Sequence, residues 1–226
     1  MTSDIGAAIA AAARTMNQRQ TLPETLQTIA EIARDAIPGI NHAGISTVDQ
    51  RGRVETKAAT SDLVWTLDRL QYSLGEGPCV DTLRNGPVVR APHIRHDQRW
   101  PRFVPRAVEE GLRSQLAVRL YLDHEGLLGG LNLYSTESDD IDPDAEGIAD
   151  LFAAHAAIAL GSSTHREQLN QALQSRKVIG QAIGMLMERY QVNEDRAFAY
   201  LVRTSSHGNI KLSVIASQMV EVANKR

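Results

Sequence analysis

From Val178 onward the chain shows no strand-like alternation; its apolar residues fall at helical spacing in three short runs. The first run is Val178, Ile179, Ala182, Ile183, Leu186, Met187 and Tyr190, opposite a face carrying Lys177, Gln181, Gly184, Glu188 and Arg189. The second is Ala197, Phe198, Leu201 and Val202. Asn193 is placed to cap it, with Glu194 and Asp195 in the first turn, where the helix dipole favours acids. Thr204-Ser205-Ser206-His207-Gly208 is expected to turn, and Asn209 to cap a third helix with Leu212, Ile215, Ala216, Met219 and Val220 on its core face. Tyr190 and Phe198 fall on the core side. Three such helices close a small core, barely so without neighbours.

Charge divides the chain at the same place. Residues 1–164 hold 15 basic and 22 acidic side chains, a net of −7, whereas residues 165–226 hold 9 and 5, a net of +4. The whole-chain charge of −3 argues against a protein that coats nucleic acid along its length. The basic end is the part suited to phosphate.

Before that end, helices and strands mix. Ser3 to Met16 reads as an amphipathic helix with Ile5, Ile9, Ala12 and Met16 on one face, not as a leader peptide, because Asp4 stands where a leader is basic. A helix follows from Pro23 to Ile37, then strands His42–Val48 and Val54–Thr60 around the turn Asp49-Gln50-Arg51-Gly52. Ser61 or Asp62 caps a helix to Tyr72. The loop Leu74-Gly75-Glu76-Gly77-Pro78-Cys79 leads into a short helix, and Val88–Arg90 is a short strand. His93–Pro105 reads as a long polar connection, Ala107–Glu110 as helical, and Ser114–Asp123 and Gly126–Ser135 as a hairpin. Hairpins at both ends of the strand list predict an α+β fold: an antiparallel sheet with helices on one side. Asp142-Pro143 should start a long helix whose stripe is Ile148, Leu151, Phe152, His155, Ile158 and Ala159, resumed at Leu169, Ala172 and Leu173. Gly161-Ser162-Ser163-Thr164 is a weak spot where it can kink or break. The resumption of apolar spacing suits a helix that pairs with its twin in a homodimer.

No segment is long and apolar enough to span a membrane, and the single cysteine, Cys79, fits a reducing cytoplasm. Cys79 reads either as a buried structural thiol or as a redox sensor near a helix start. His93 and His96 lie in a polar segment with no partner cluster, so neither metal nor cofactor is expected. No Ser-His-Asp set or carboxylate pair stands out, the acidic run Asp139–Glu146 reads as loop and cap, and no enzyme activity or catalytic residue is assigned.

The string Leu173-Gln174-Ser175-Arg176-Lys177-Val178-Ile179-Gly180-Gln181-Ala182-Ile183-Gly184-Met185-Leu186-Met187-Glu188-Arg189 resembles the first helix of the ANTAR family. Ala197-Phe198, Leu201, Ser205, Asn209, Lys211-Leu212 and Ala216 match at their intervals too. The resemblance implies a bacterial antiterminator that binds paired RNA hairpins (tandem hairpins) as a dimer and prevents a terminator from forming. The family often carries Lys where this chain has Ile183. Within the module, Arg176, Lys177, Arg203 and Lys211 can contact phosphate, although each alone also reads as a solvated surface cation. Gln181, Ser205, Ser206 and Asn209 offer donors and acceptors to unstacked loop bases. Gly184 costs a helix about 1 kcal/mol relative to Ala; close helix packing and close approach of RNA are both sufficient reasons for it. Loop recognition should rest on hydrogen bonds and charge more than on aromatic platforms.

Residues from about Leu22 to Leu160 resemble a GAF domain, on the strength of Leu74–Cys79, Gly86-Pro87-Val88-Val89 and Gly129-Gly130-Leu131-Asn132-Leu133-Tyr134. The expected layout is a sensor or dimerisation domain at 1–160, a helical linker at 161–175 and an RNA-binding domain at 165–226. The GAF resemblance leaves room for an unidentified small-molecule ligand. Two other readings stay open: a DNA-binding regulator, disfavoured because Lys211–Ala223 offers few basic residues to a major groove, and a ligand sensor or enzyme on the GAF fold.

Overall fold

A computed structural model describes residues 21–123 and 125–224. The helix expected near the amino terminus lies outside them. The chain divides between Ser163 and Thr164 into two compact units.

The first unit opens with α1 (Leu22–Ala36), where the Thr21 backbone N–H donates to Glu24 at 2.8 Å and Pro23 occupies the first turn. Then come β1 (His42–Val48), β2 (Val54–Ala59), α2 (Asp62–Leu74), α3 (Pro78–Asn85), β3 (Val88–Ala91), a 3-10 turn (Ile94–His96), α4 (Phe103–Glu109), β4 (Ser114–Leu122) and β5 (Gly126–Ser135). The strands pair antiparallel throughout in the order β2-β1-β5-β4-β3.

Helices cover both faces of this sheet, not the one face expected. Leu26, Ile29 and Ala33 of α1 pack with Ile45, Leu116, Val118, Leu131 and Leu133 on one side. Val64 and Leu67 of α2 pack with Trp100, Phe103 and Tyr134 on the other. Hairpin alternation does not distinguish a solvated face from one covered by polar contacts, and here the second face is lined by buried Ser46, Gln115 and Asn132. The His93–Pro105 stretch is less polar than its composition: Trp100 is buried and donates its indole N–H to Asp81 at 3.0 Å, and buried Phe103 starts α4.

The long helix α5 (Ala145–Tyr190) begins three residues after Asp142, which instead accepts the Asp144 N–H in a preceding turn at 2.8 Å. It runs without a break through Gly161–Thr164. Gly161 is explained by packing, because a Cβ there would lie 2.6 Å from Leu122 Cδ1 and 3.0 Å from Glu125 Oε1. The expected single stripe is two faces. Ala145, Ile148, Ala149, Phe152, Ala153, Ala156, Ala157 and Leu160 are buried on the sheet, whereas Leu151 and Ile158 stay 42% and 51% exposed. At 100° per residue, a buried face centred on Ala149, Phe152, Ala156 and Leu160 leaves Leu151 and Ile158 on the opposite side of the helix.

The second unit joins the carboxy-terminal part of α5 to α6 (Glu194–Gly208) and α7 (Leu212–Asn224). Its core is six buried residues, Ala182, Leu186, Ala197, Leu201, Ile215 and Ala216, flanked by Val178, Ile179, Ile183, Val192, Leu212 and Met219. Asn193 caps α6, accepting the Arg196 N–H at 3.1 Å. Two expectations are corrected here. Thr204–Gly208 is the last turn of α6 rather than a loop, and Asn209 closes α6 in the left-handed region (φ 48°, ψ 38°) instead of starting α7. Asparagine tolerates that conformation, and its N–H reaches back to the carbonyls of Ser205 and Ser206. The core-side placement of Tyr190, Phe198 and Val202 is also corrected, since they are 55%, 45% and 39% exposed. Three alanines in a six-residue core draw the helices together and leave no room for rings.

Candidate RNA interface

Helical spacing places Lys177, Gln181 and Gly184 on the side of α5 opposite the buried Ala182 and Leu186, with Arg176 on its flank; all four are exposed. A Cβ on Gly184 would meet nothing within 4 Å, and the same holds at Gly180. Close packing within the described residues is therefore not what Gly184 serves. Ile183, standing where the related sequences often carry Lys, is partly buried against the small core. A lysine there would have to run its stem along that core to reach water.

At the α6–α7 junction Arg203, Ser206, Asn209 and Lys211 are exposed. Ser205 differs from them. Its hydroxyl donates to the Ile210 carbonyl at 2.6 Å, and the Ile210 N–H donates to the Ser205 carbonyl at 3.1 Å. That pair of bonds builds the junction, so the Ser205 hydroxyl proton is already used. Lys211 supplies the carbonyl that receives the first N–H groups of α7, from Val214 at 2.9 Å and Ile215 at 3.3 Å, leaving its ammonium free to project. The α7 helix itself contains no Lys or Arg. Its Ser217 hydroxyl donates to the Ser213 carbonyl at 2.8 Å.

The first unit keeps its polar groups inside. Asp68 of α2 is fully buried and accepts Thr56 Oγ1 at 2.6 Å, Asn132 Nδ2 at 3.2 Å and a short hydrogen bond from the Tyr134 hydroxyl. Asn132 also donates to Ser46 Oγ at 3.1 Å, and Ser46 bonds closely with the Tyr72 hydroxyl. Burial, with no cation beside it, raises the Asp68 pKa above the ordinary value of 3.8, against the pull of its hydroxyl donors. The Gln115 Oε1 and Asn132 Oδ1 oxygens are buried here with no hydrogen-bond partner. Tyr72 also lines a cleft of about 390 Å³ with Val48, Val54, Val80, Leu83 and Arg84. The glycine-rich loop is clamped around this cluster. Glu76 accepts Arg102 Nε at 2.6 Å, and Gln71 Oε1 accepts the Cys79 N–H at 2.9 Å beneath Gly77, whose φ of 128° only glycine adopts readily.

Two family models match the chain: a GAF domain over residues 19–161 and an ANTAR domain over residues 167–220. The chain is a two-domain GAF–ANTAR protein. The ANTAR domain is an RNA-binding antitermination domain and the GAF domain a regulatory one. No curated protein matches the chain. Among solved structures, the GAF domain of an Acinetobacter phosphoenolpyruvate-protein phosphotransferase is 14% identical with a TM-score of 0.58, covering 74% of this chain and 99% of that one. Its counterpart from Coxiella burnetii is 15% identical with a TM-score of 0.59, covering 73% and 96%. A type II free methionine-R-sulfoxide reductase from Thermoplasma acidophilum is 15% identical with a TM-score of 0.51, covering 63% and 96%. These likenesses describe the fold.

In the GAF unit, burial and the neighbouring Asp68 push the Cys79 thiol up to about 12, away from the thiolate a redox sensor needs. No group of three His, Cys, Asp or Glu among the described residues is placed to hold a metal, and His93 pairs with Asp140 at 3.0 Å. None of the described helices is long and apolar enough to cross a membrane. In the ANTAR unit, sequence reasoning missed Tyr200, which meets Tyr190 with ring centroids 6.2 Å apart. The available signal was its distance from the buried stripe: Arg196, Tyr200, Arg203 and His207 recur at helical spacing beside Ala197 and Leu201.

Proposed function

We propose that this GAF–ANTAR protein is a non-enzymatic, cytoplasmic transcription antiterminator that binds tandem RNA hairpins as a homodimer. The observation that carries the reading is the exposed Lys177–Gln181–Gly184 face, where a helix-weakening glycine has open space above it. A bare backbone flanked by an ammonium and an amide accommodates a close phosphate and an unstacked base edge. Arg176 on the flank, with Arg203, Ser206, Asn209 and Lys211 at the α6–α7 junction, supplies the remaining contacts, and Ser205 acts by fixing that junction. A DNA-reading role is disfavoured by α7, whose described residues carry Glu221 and no cation.

The homodimer forms along α5, where Leu151, Ile158, Leu169 and Leu173 are all exposed by 42% or more at intervals compatible with helix pairing. A signal enters through the GAF unit. Its buried polar cluster, with two carbonyl oxygens lacking donors, and the adjacent Tyr72 cleft support a small polar ligand there. The deciding experiment is titration of the full chain with tandem hairpin RNA and with scrambled hairpins at physiological salt. Preference for the tandem hairpins, weakened by Arg176→Ala and by Lys211→Ala, is the expected result. Equal affinity for both RNAs, or tighter binding to duplex DNA, overturns the reading.

A further inference from the structure

We propose that Tyr190 and Tyr200 form the platform on which an unpaired loop base of the bound RNA stacks, with Arg196, Arg203 and His207 holding the adjoining phosphates. The proposal rests on the RNA-binding reading above and extends it to a face that reading does not use, apart from Arg203. Both rings are more than half exposed, at 55% and 52%, and their planes are tilted by 33°. The Arg189 guanidinium lies 5.8 Å from the Tyr190 ring centre. Positions 196, 200, 203 and 207 follow one another at alternating four- and three-residue steps. One side of α6 therefore presents arginine, tyrosine, arginine and histidine in succession. Buried Ala197 and Leu201 hold the adjacent side against the core, which forces this one outward.

The charge pattern selects the occupant. Neither Arg196 nor Arg203 is engaged in an ion pair among the described residues. The acids of the first turn point elsewhere: Glu194 shares the side of Ala197 and Leu201, and Asp195 that of Phe198 and Val202. Two open π-faces among cations, with no carboxylate between them, match a polyanion that bears planar rings. A base offers its face to such a platform only when it is unpaired, which makes the hairpin loop, not the stem, the occupant.

The test titrates the full chain with tandem hairpin RNA carrying a fluorescent adenine analogue at successive loop positions. Wild type should bind and perturb the analogue at one position. Tyr190→Leu and Tyr200→Leu keep apolar bulk but lose the ring, and each should weaken binding about tenfold and abolish that signal. Tyr200→Phe should retain both. Unchanged affinity and signal in the two leucine variants overturn the platform while RNA binding by the rest of the module stands. Failure of wild type to bind hairpins overturns the RNA-binding reading and the platform with it. Loss of dimer in sedimentation with RNA affinity intact marks the rings as a protein contact and also overturns it. Should a leucine variant lose helical melting, Arg196→Ala and Arg203→Ala carry the test. Each should lower the salt dependence of binding by about one counterion, and an unchanged slope in both overturns the phosphate role.

Discussion

The two units of this protein handle polarity in opposite ways. The GAF unit buries it: Asp68, Ser46, Asn132, Gln71 and Gln115 are fully enclosed and mostly bonded to one another. The ANTAR unit turns it out, with six small or medium residues as its core and its rings, arginines and amides on the surface. The difference follows from size. A five-stranded sheet with helices on both faces can enclose a hydrogen-bonded network and still have apolar area to spare, whereas three short helices cannot. The large unit can store a polar site inside, and the small one has to display its own.

The contrast can be broken from either side. Leu201→Ala removes a fully buried side chain from the six-residue core and should cost about 3 kcal/mol. That is enough to melt the ANTAR unit while the GAF unit stays folded; a single concerted transition in urea would show the units to be energetically fused. Asp68→Ala strands the Tyr134 hydroxyl and the Asn132 amide in a buried site and should destabilise the GAF unit by about 2 kcal/mol. Because the folded pKa of Asp68 is raised, its contribution is greatest below about pH 4 and declines as pH rises through that raised value. Asp68→Asn should remove this decline, so the stability difference between Asn variant and wild type should widen in favour of the variant with rising pH. A constant difference would mean that the Asp68 carboxyl titrates alike in the folded and unfolded chain. Gly184→Ala should stabilise α5 by about 1 kcal/mol and at the same time weaken RNA binding, an opposition that distinguishes a surface kept bare for RNA from one that is idle. The smallest effect is chemical: Cys79, buried with its pKa near 12, should resist alkylation at pH 8 until the protein is unfolded.

Most of the element order was legible in the sequence because capping and turn residues mark it locally: Pro23 at the start of α1, Asp49-Gln50-Arg51-Gly52 between β1 and β2, Asn193 before α6. What escaped depends on neighbours. The second helical layer on the sheet was hidden because Ser46 and Asn132 look like solvent-facing strand positions until Asp68 is brought against them. Gly161 looked like a helix breaker because the strand end it packs on, Leu122, is far away in sequence. Asn209 reads equally as the start of α7 and the end of α6, because asparagine serves both a helix start and a left-handed helix end. In the candidate interface, the exposed Lys177–Gln181–Gly184 face was readable from spacing alone. The Tyr190–Tyr200 pair was only half readable: Tyr200 lies off the Ala197–Leu201 stripe by spacing, but Tyr190 continues the apolar spacing of Leu186 and Met187 and reads as core, and its partner ring is on another helix.

Trp100, which closes the second face of the sheet, has one more consequence. The chain contains two tryptophans, Trp65 and Trp100, and both lie in the GAF unit. Indole emission is therefore a reporter private to that unit, whereas tyrosine is shared, with Tyr72, Tyr121 and Tyr134 in the GAF unit and Tyr190 and Tyr200 in the other. A change that reaches the GAF unit can thus be timed in the unmodified chain without interference from the RNA-binding unit.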